Sequence, residues 1–162
     1  MLVKPPLCKK SMQSTGKNNM QLIFVNSNTI GSKIIRWKTS SKWSHVGVVD
    51  KKRNIVFEAI WPDGVVQTPL EKIKARSSEW EFRELPISDY SAAMAYLIAQ
   101  LGKPYDTFGV LGLGFNRNWQ DDRKWWCSEY TAMAAIQGGY NGFSNVMNTV
   151  TPQDVYNVTV AV

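Results

Sequence analysis

A single histidine, His45, and a cysteine at the head of a helix-forming run, Cys127, are the residues with which this chain could do covalent chemistry. Cys127 stands in Trp125-Trp126-Cys127-Ser128-Glu129-Tyr130, followed by small residues from Thr131 to Ile136 and by Gly138-Gly139. That pattern predicts a helix beginning at or beside the cysteine. A thiol at a helix N-terminus feels the positive end of the macrodipole, which favours the nucleophilic thiolate. Glu129, two or three positions into the helix, stands where an acidic side chain pairs with backbone N–H groups that lack intrahelical partners. A thiolate that attacks a carbonyl needs a base to hold its proton and return it to the leaving group, and that base needs an anion to fix its tautomer. With one histidine in the chain, any cysteine–histidine pair must use His45.

The elements around His45 supply a candidate anion. His45-Val46-Gly47-Val48-Val49 and the run from Asn54 to Ala59 read as two strands of a hairpin, joined by a turn from Asp50 to Arg53. If Val49 faces Asn54, His45 faces Glu58. Opposed residues on one face have Cβ atoms about 4.5–5.5 Å apart, within reach of a carboxylate–imidazole hydrogen bond. The plain alternatives are a cysteine that is only a small buried hydrophobe and two half-exposed strand residues. A cross-strand His–Glu pair together with a cysteine at a helix start makes all three alternatives at once less comfortable.

Residues 1–19 are polar and basic, carry Pro5-Pro6, and read as a flexible extension; 20–162 read as one domain, within the usual size range. Apolar patterning predicts strands at 21–25, 65–68 and 80–85, with a short helix or turn at 30–37 and a short helix at 70–76. A longer helix is expected at 89–101, with Ser88 as N-cap and Gly102 as its stop. A glycine-punctuated helical piece at 106–113, a polar Trp-containing loop at 116–124 and a last short element from Thr151 complete the chain. Strands grouped in the middle with helices at both ends indicate an α+β class.

A formal charge of +6 would suit nucleic acid, anionic lipid or a wall polymer. The basic residues are scattered, however, and no nucleic-acid-binding signature is present, so no nucleic-acid partner is expected. Cys8 and Cys127 sit in unlike settings and make a poor disulfide pair. One histidine and two cysteines cannot supply a zinc site without carboxylates, so neither a metal nor another cofactor is expected. There is no apolar stretch of about 18 residues and no signal-peptide core, which points to a soluble cytoplasmic protein without stable membrane insertion.

Taken in order, Trp43-Ser44-His45-Val46-Gly47-Val48-Val49, Val56-Phe57-Glu58-Ala59, Gly102-Lys103-Pro104-Tyr105-Asp106, Trp126-Cys127-Ser128-Glu129-Tyr130 and Thr151-Pro152-Gln153-Asp154 resemble the YiiX/YebB-like family. That family belongs to the circularly permuted papain-like enzymes of the NlpC superfamily, and the resemblance runs from Met20 to Asn157. It implies a permuted papain-like α+β fold, with an antiparallel sheet of about four to six strands packed against the helix that carries Cys127. It implies Cys127 as nucleophile, His45 as base and Glu58 as third member, in the order a permuted chain would have. Tyr105 resembles a tyrosine that helps to bind the oxyanion or substrate, while Ser44, Asp106, Ser128 and Glu129 are expected in supporting roles. The implied reaction is hydrolysis of an amide, less so of an ester or thioester, through an acyl-enzyme on Cys127, with a peptide, amino-acyl or wall-derived small substrate. Acyltransferases of the lecithin–retinol type carry Asn-Cys-Glu-His where this chain has Trp126-Cys127-Ser128-Glu129, which favours hydrolysis. A third reading keeps the scaffold as a basic, non-catalytic binding module.

Overall fold

The computed structural model describes residues 18–106, 126–143 and 150–162. Most of the N-terminal extension with Cys8, the expected helical piece beyond Asp106 and the Trp-containing loop therefore lie outside the described residues. The described chain is α+β, as expected. Six strands, β1 (Asn18–Asn26), β2 (His45–Asp50), β3 (Ile55–Ile60), β4 (Gly64–Pro69), β5 (Glu79–Ile87) and β6 (Val160–Ala161), form one sheet in the order β4-β3-β2-β1-β5-β6, antiparallel throughout. The helices are α1 (Ile30–Thr39), α2 (Leu70–Arg76), α3 (Tyr90–Ala99), α4 (Cys127–Gln137) and α5 (Pro152–Asn157).

Successive strand residues point to opposite faces, and β1 is apolar on both, as a strand covered on both sides must be. Met20, Leu22 and Phe24 join Val46, Val48, Phe57 and Ala59 in the larger core under α3, α4 and α5. Ile23 and Val25 join Val49 and Val56 on the other face, where Leu70 and Ile73 of α2 close a smaller cluster. Helix α4 is buried almost all round, and its alanines (Ala132, Ala134, Ala135) let it lie close on β2, β3 and α3.

Several elements differ from expectation for definable reasons. Strand β1 begins at Asn18, two residues inside the expected extension, and pairs with β5 along its whole length from Asn18↔Ile87 to Asn26↔Glu79. Asp89, and not Ser88, caps α3: its side chain accepts the Ala92 N–H at 2.9 Å, while Ser88 Oγ donates to the Gly138 carbonyl at 3.1 Å. The helix then ends at Ala99, two residues short of the expected span. The two-residue β6 carries too little pattern to announce itself.

The hairpin register is the correction that matters most. Val49 pairs with Val56 and Asp50 with Ile55, so Asn54 is not opposite Val49 and His45 is not directly opposite Glu58. Asp50 stays in the strand because its carboxylate accepts the Lys52 and Arg53 N–H groups at 3.0 and 3.2 Å and Arg53 Nε at 2.7 Å. Asn54 closes the turn at φ +54°, a left-handed conformation that asparagine tolerates. These contacts move the loop on by one residue and the register by two. An even shift leaves every side chain on its own face, so His45 and Glu58 remain neighbours, but diagonal ones.

Candidate active site

His45 is the first residue of β2, and its backbone is pinned from the residue before it. The buried Ser44 donates its N–H to the Val25 carbonyl at 3.2 Å and to Asn26 Oδ1 at 3.1 Å, and its hydroxyl to the Val25 carbonyl at 3.1 Å. Continued by one residue, the hairpin register sets Gly47 beside Glu58: a Cβ added at Gly47 would lie 3.5 Å from the Glu58 Cβ and 2.5 Å from Val56 Cγ1. With no side chain there, the imidazole has room to lean across, and His45 Nε2 meets Glu58 Oε2 at 2.6 Å.

Glu58 is fully buried, a position that a carboxylate tolerates only with donors around it. It has three: His45 Nε2, Thr68 Oγ1 on its other oxygen at 2.6 Å, and Arg76 Nη2, which shares Oε2 with the histidine. Thr68 comes from β4 and Arg76 from the last position of α2. Burial pushes the carboxyl pKa up, but the bond to His45, the His45 and Arg76 charges and the Thr68 hydroxyl outweigh it and bring it to about 2. For His45, burial pulls the other way; hydrogen bonds to Cys127 and Glu58, and the charges of both, raise it to about 9. Since Nε2 is committed to Glu58, Nδ1 is the nitrogen left for the Cys127 sulfur.

Cys127 opens α4 as the sequence predicts, 4% exposed, after Trp126 in the N-cap position, which makes no side-chain cap bond. Ser128 anchors the head of the helix by donating to the Val150 carbonyl at 2.7 Å. Glu129 is buried in the first turn, near Tyr96, whose phenol is pushed up by burial first and by the Glu129 charge second. Tyr105 is raised strongly by burial and then by the charges of Cys127 and the buried Asp106, so it remains a protonated donor. The stretch that carries it is fastened to the rim of the sheet: Val65 N–H donates to the Lys103 carbonyl at 2.8 Å and Gly102 N–H to the Val65 carbonyl at 2.9 Å. Gly64, at φ +78°, makes this possible, since a Cβ there would lie 2.2 Å from the Lys103 oxygen.

His45, Glu58, Cys127 and Tyr105 are thus brought into one neighbourhood. His45 and Tyr105 line a cleft of about 470 Å3 with Ser44, Ala59, Trp61 and Arg76, walled on one side by Ser32 and Ile35 of α1. Thr68, Arg76, Asn26 and the two glycines are the parts that sequence reading missed. Nothing local marks Arg76 or Thr68, because each meets Glu58 only through the packing of another element.

No family model matches the sequence, and no curated protein matches it. A crystal structure of the metalloprotein yiiX from Escherichia coli O157:H7, described as DUF1105, superposes with a TM-score of 0.63 over 88% of this chain and 96% of that chain, at 23% identity. This chain has the yiiX fold. The yiiX protein is called a metalloprotein. Among the described residues no three His, Cys, Asp or Glu side chains gather as a ligand set. His45 Nε2 and both Glu58 oxygens are engaged by protein partners, and the Arg76 guanidinium stands on Glu58 where a cation would compete. The described residues of this yiiX-fold site do not fit a bound metal ion.

Proposed function

We propose that the chain is a cysteine hydrolase of the permuted papain-like kind, cleaving an amide bond of a peptide or amino-acyl substrate through an acyl-enzyme on Cys127. The observation that carries this reading is one histidine hydrogen-bonded to the buried Glu58 at 2.6 Å and electrostatically coupled to Cys127 at the head of α4. The Cys127 sulfur attacks the substrate carbonyl carbon; a C–S bond forms and the carbonyl electron pair moves onto oxygen. Backbone N–H groups at the head of α4 and the Tyr105 hydroxyl are assigned as the donors that receive that oxyanion. As the C–N bond breaks, His45 gives its Nδ1 proton to the leaving amine. Water, losing a proton to His45, then attacks the thioester, the C–S bond breaks, and the acid leaves. Glu58 keeps its charge throughout and holds the ring.

The histidine's pKa, raised to about 9, is compatible with amide cleavage. It keeps a proton on His45 through neutral pH, and an amine, the poorer leaving group, is the one that needs it. The test is peptide-resolved mass spectrometry after iodoacetamide treatment at neutral pH, comparing Cys127 with Cys8 and the native chain with His45→Ala. Cys127 is expected to label far faster than Cys8 and to lose that advantage without His45. Equal labelling of both thiols, unchanged by His45→Ala, would leave salt-dependent binding by a basic module as the better account.

A further inference from the structure

Among the described residues, the cleft beside His45 is lined by two cationic side chains, His45 and Arg76, and by no Asp or Glu. Glu58, buried beneath them, is the anion that both share, since His45 Nε2 and Arg76 Nη2 converge on its Oε2. A guanidinium carries five N–H donors in a fixed planar fork. Arg76 spends Nη2 on Glu58, and its remaining donors have no partner among the described residues. The side chain is nevertheless 37% exposed and faces the cleft beside Ser77. Clamped from behind by a carboxylate that cannot move, and open in front, such a fork is preorganised for a second carboxylate.

We propose that Arg76 reads an anionic group, a carboxylate, carried by the substrate next to the bond that Cys127 cuts. This rests on the hydrolase reading and narrows its substrate to acyl or aminoacyl compounds with a negative charge near the scissile carbonyl. The competing account gives Arg76 a structural task only, the neutralisation of Glu58.

Iodoacetate and iodoacetamide separate the two, since they match in size and leaving group and differ in charge. The experiment measures the ratio of their alkylation rates at Cys127, by peptide mass spectrometry, in the full chain and in Arg76→Gln, Arg76→Lys and Thr68→Val. The same ratio in denaturant serves as the reference thiol. In the folded chain the ratio is expected to exceed the reference by at least about tenfold, the lower end of electrostatic focusing in a cleft. Arg76→Gln should return it to the level that His45 alone sustains, with Arg76→Lys between because it keeps the charge without the fork. Thr68→Val removes a different Glu58 donor and should leave the ratio unchanged. A native ratio in both Arg76 variants, or an equal loss in Thr68→Val, overturns the proposal. If Arg76→Gln does not fold, Arg76→Lys carries the decision. Cys127 reacting with neither reagent faster than in denaturant would instead overturn the hydrolase reading itself.

Discussion

The sheet places His45 and Glu58, whereas a helix head and a tethered loop place Cys127 and Tyr105, and the two halves are held by different forces. In the sheet half every Glu58 oxygen has a donor, and the ladder fixes both backbones. In the other half Cys127 depends on the packing of α4 and one serine anchor, and Tyr105 on two backbone bonds past a glycine. The contrast separates two properties: the sheet half sets charge, and the loop half sets where a substrate carbonyl meets donors. Changes in the first should move pH behaviour, and changes in the second should move binding.

The largest effect crosses both halves. Cys127→Ala and His45→Ala should lower amide turnover by roughly 10³-fold or more with the fold intact by circular dichroism. Comparable turnover in Cys127→Ala would remove the covalent mechanism. Next comes Glu58: Glu58→Ala frees the imidazole to rotate and should cost roughly a hundredfold, while Glu58→Gln keeps an acceptor and measurable turnover, with both read as kcat on one amide. The alkaline limb of the rate profile, near pH 9 in the native chain, should move to lower pH in Glu58→Gln, because a neutral partner no longer raises the His45 pKa. A limb that stays at about 9 would detach Glu58 from His45.

Stability should follow the same two shifts. His45, raised from 6.5 to about 9, contributes fully below pH 6.5 and loses that contribution as pH rises through about 9. Glu58, lowered from 4.5 to about 2, contributes fully above pH 4.5 and loses it as pH falls through about 2. The Tm difference between the native chain and Glu58→Gln should therefore peak between pH 4.5 and 6.5. A difference flat across pH 4 to 10 would contradict the pairing.

In the loop half, Gly64→Ala should push Lys103 away and carry Tyr105 with it. We expect KM to rise by roughly an order of magnitude while the alkaline limb stays in place; a moved limb would show that the halves are not separable. The smallest effect concerns the start of the sheet. A chain beginning at Asn18 should melt like the full chain, whereas one beginning at Met20 loses the 2.6 Å bond from Asn19 to Glu84 and about 1 kcal/mol, readable in a denaturation curve.

Element types were legible because alternation in β1, β2 and β3 and the small-residue run of α4 are local signals. So was the pairing of His45 with Glu58, since the chain has one histidine and strand alternation puts both on one face. Their geometry was not, because it hung on Asp50: its carboxylate could cap the turn and remain in the strand, a choice that spacing does not reveal. The expected pairing survived only because the register moved by an even number. Thr68 and Arg76 were illegible for a different reason. They reach Glu58 from β4 and α2, and no pattern within either element says that a buried carboxylate waits there. Ser88 and Asp89 show how narrowly local rules decide: both are good caps, and the carbonyl of Gly138 took the serine.

The tether between Gly64–Val65 and Gly102–Lys103 has one more consequence. Strand β4 lies at the rim of the sheet, where unpaired N–H and C=O groups invite a strand from another molecule. The tether uses both backbone groups of Val65, and Pro69 ends the strand without an N–H to offer. The contact that delivers Tyr105 is thus also a guard against intermolecular strand addition, and loosening it would expose the chain to aggregation as well as cost it a donor.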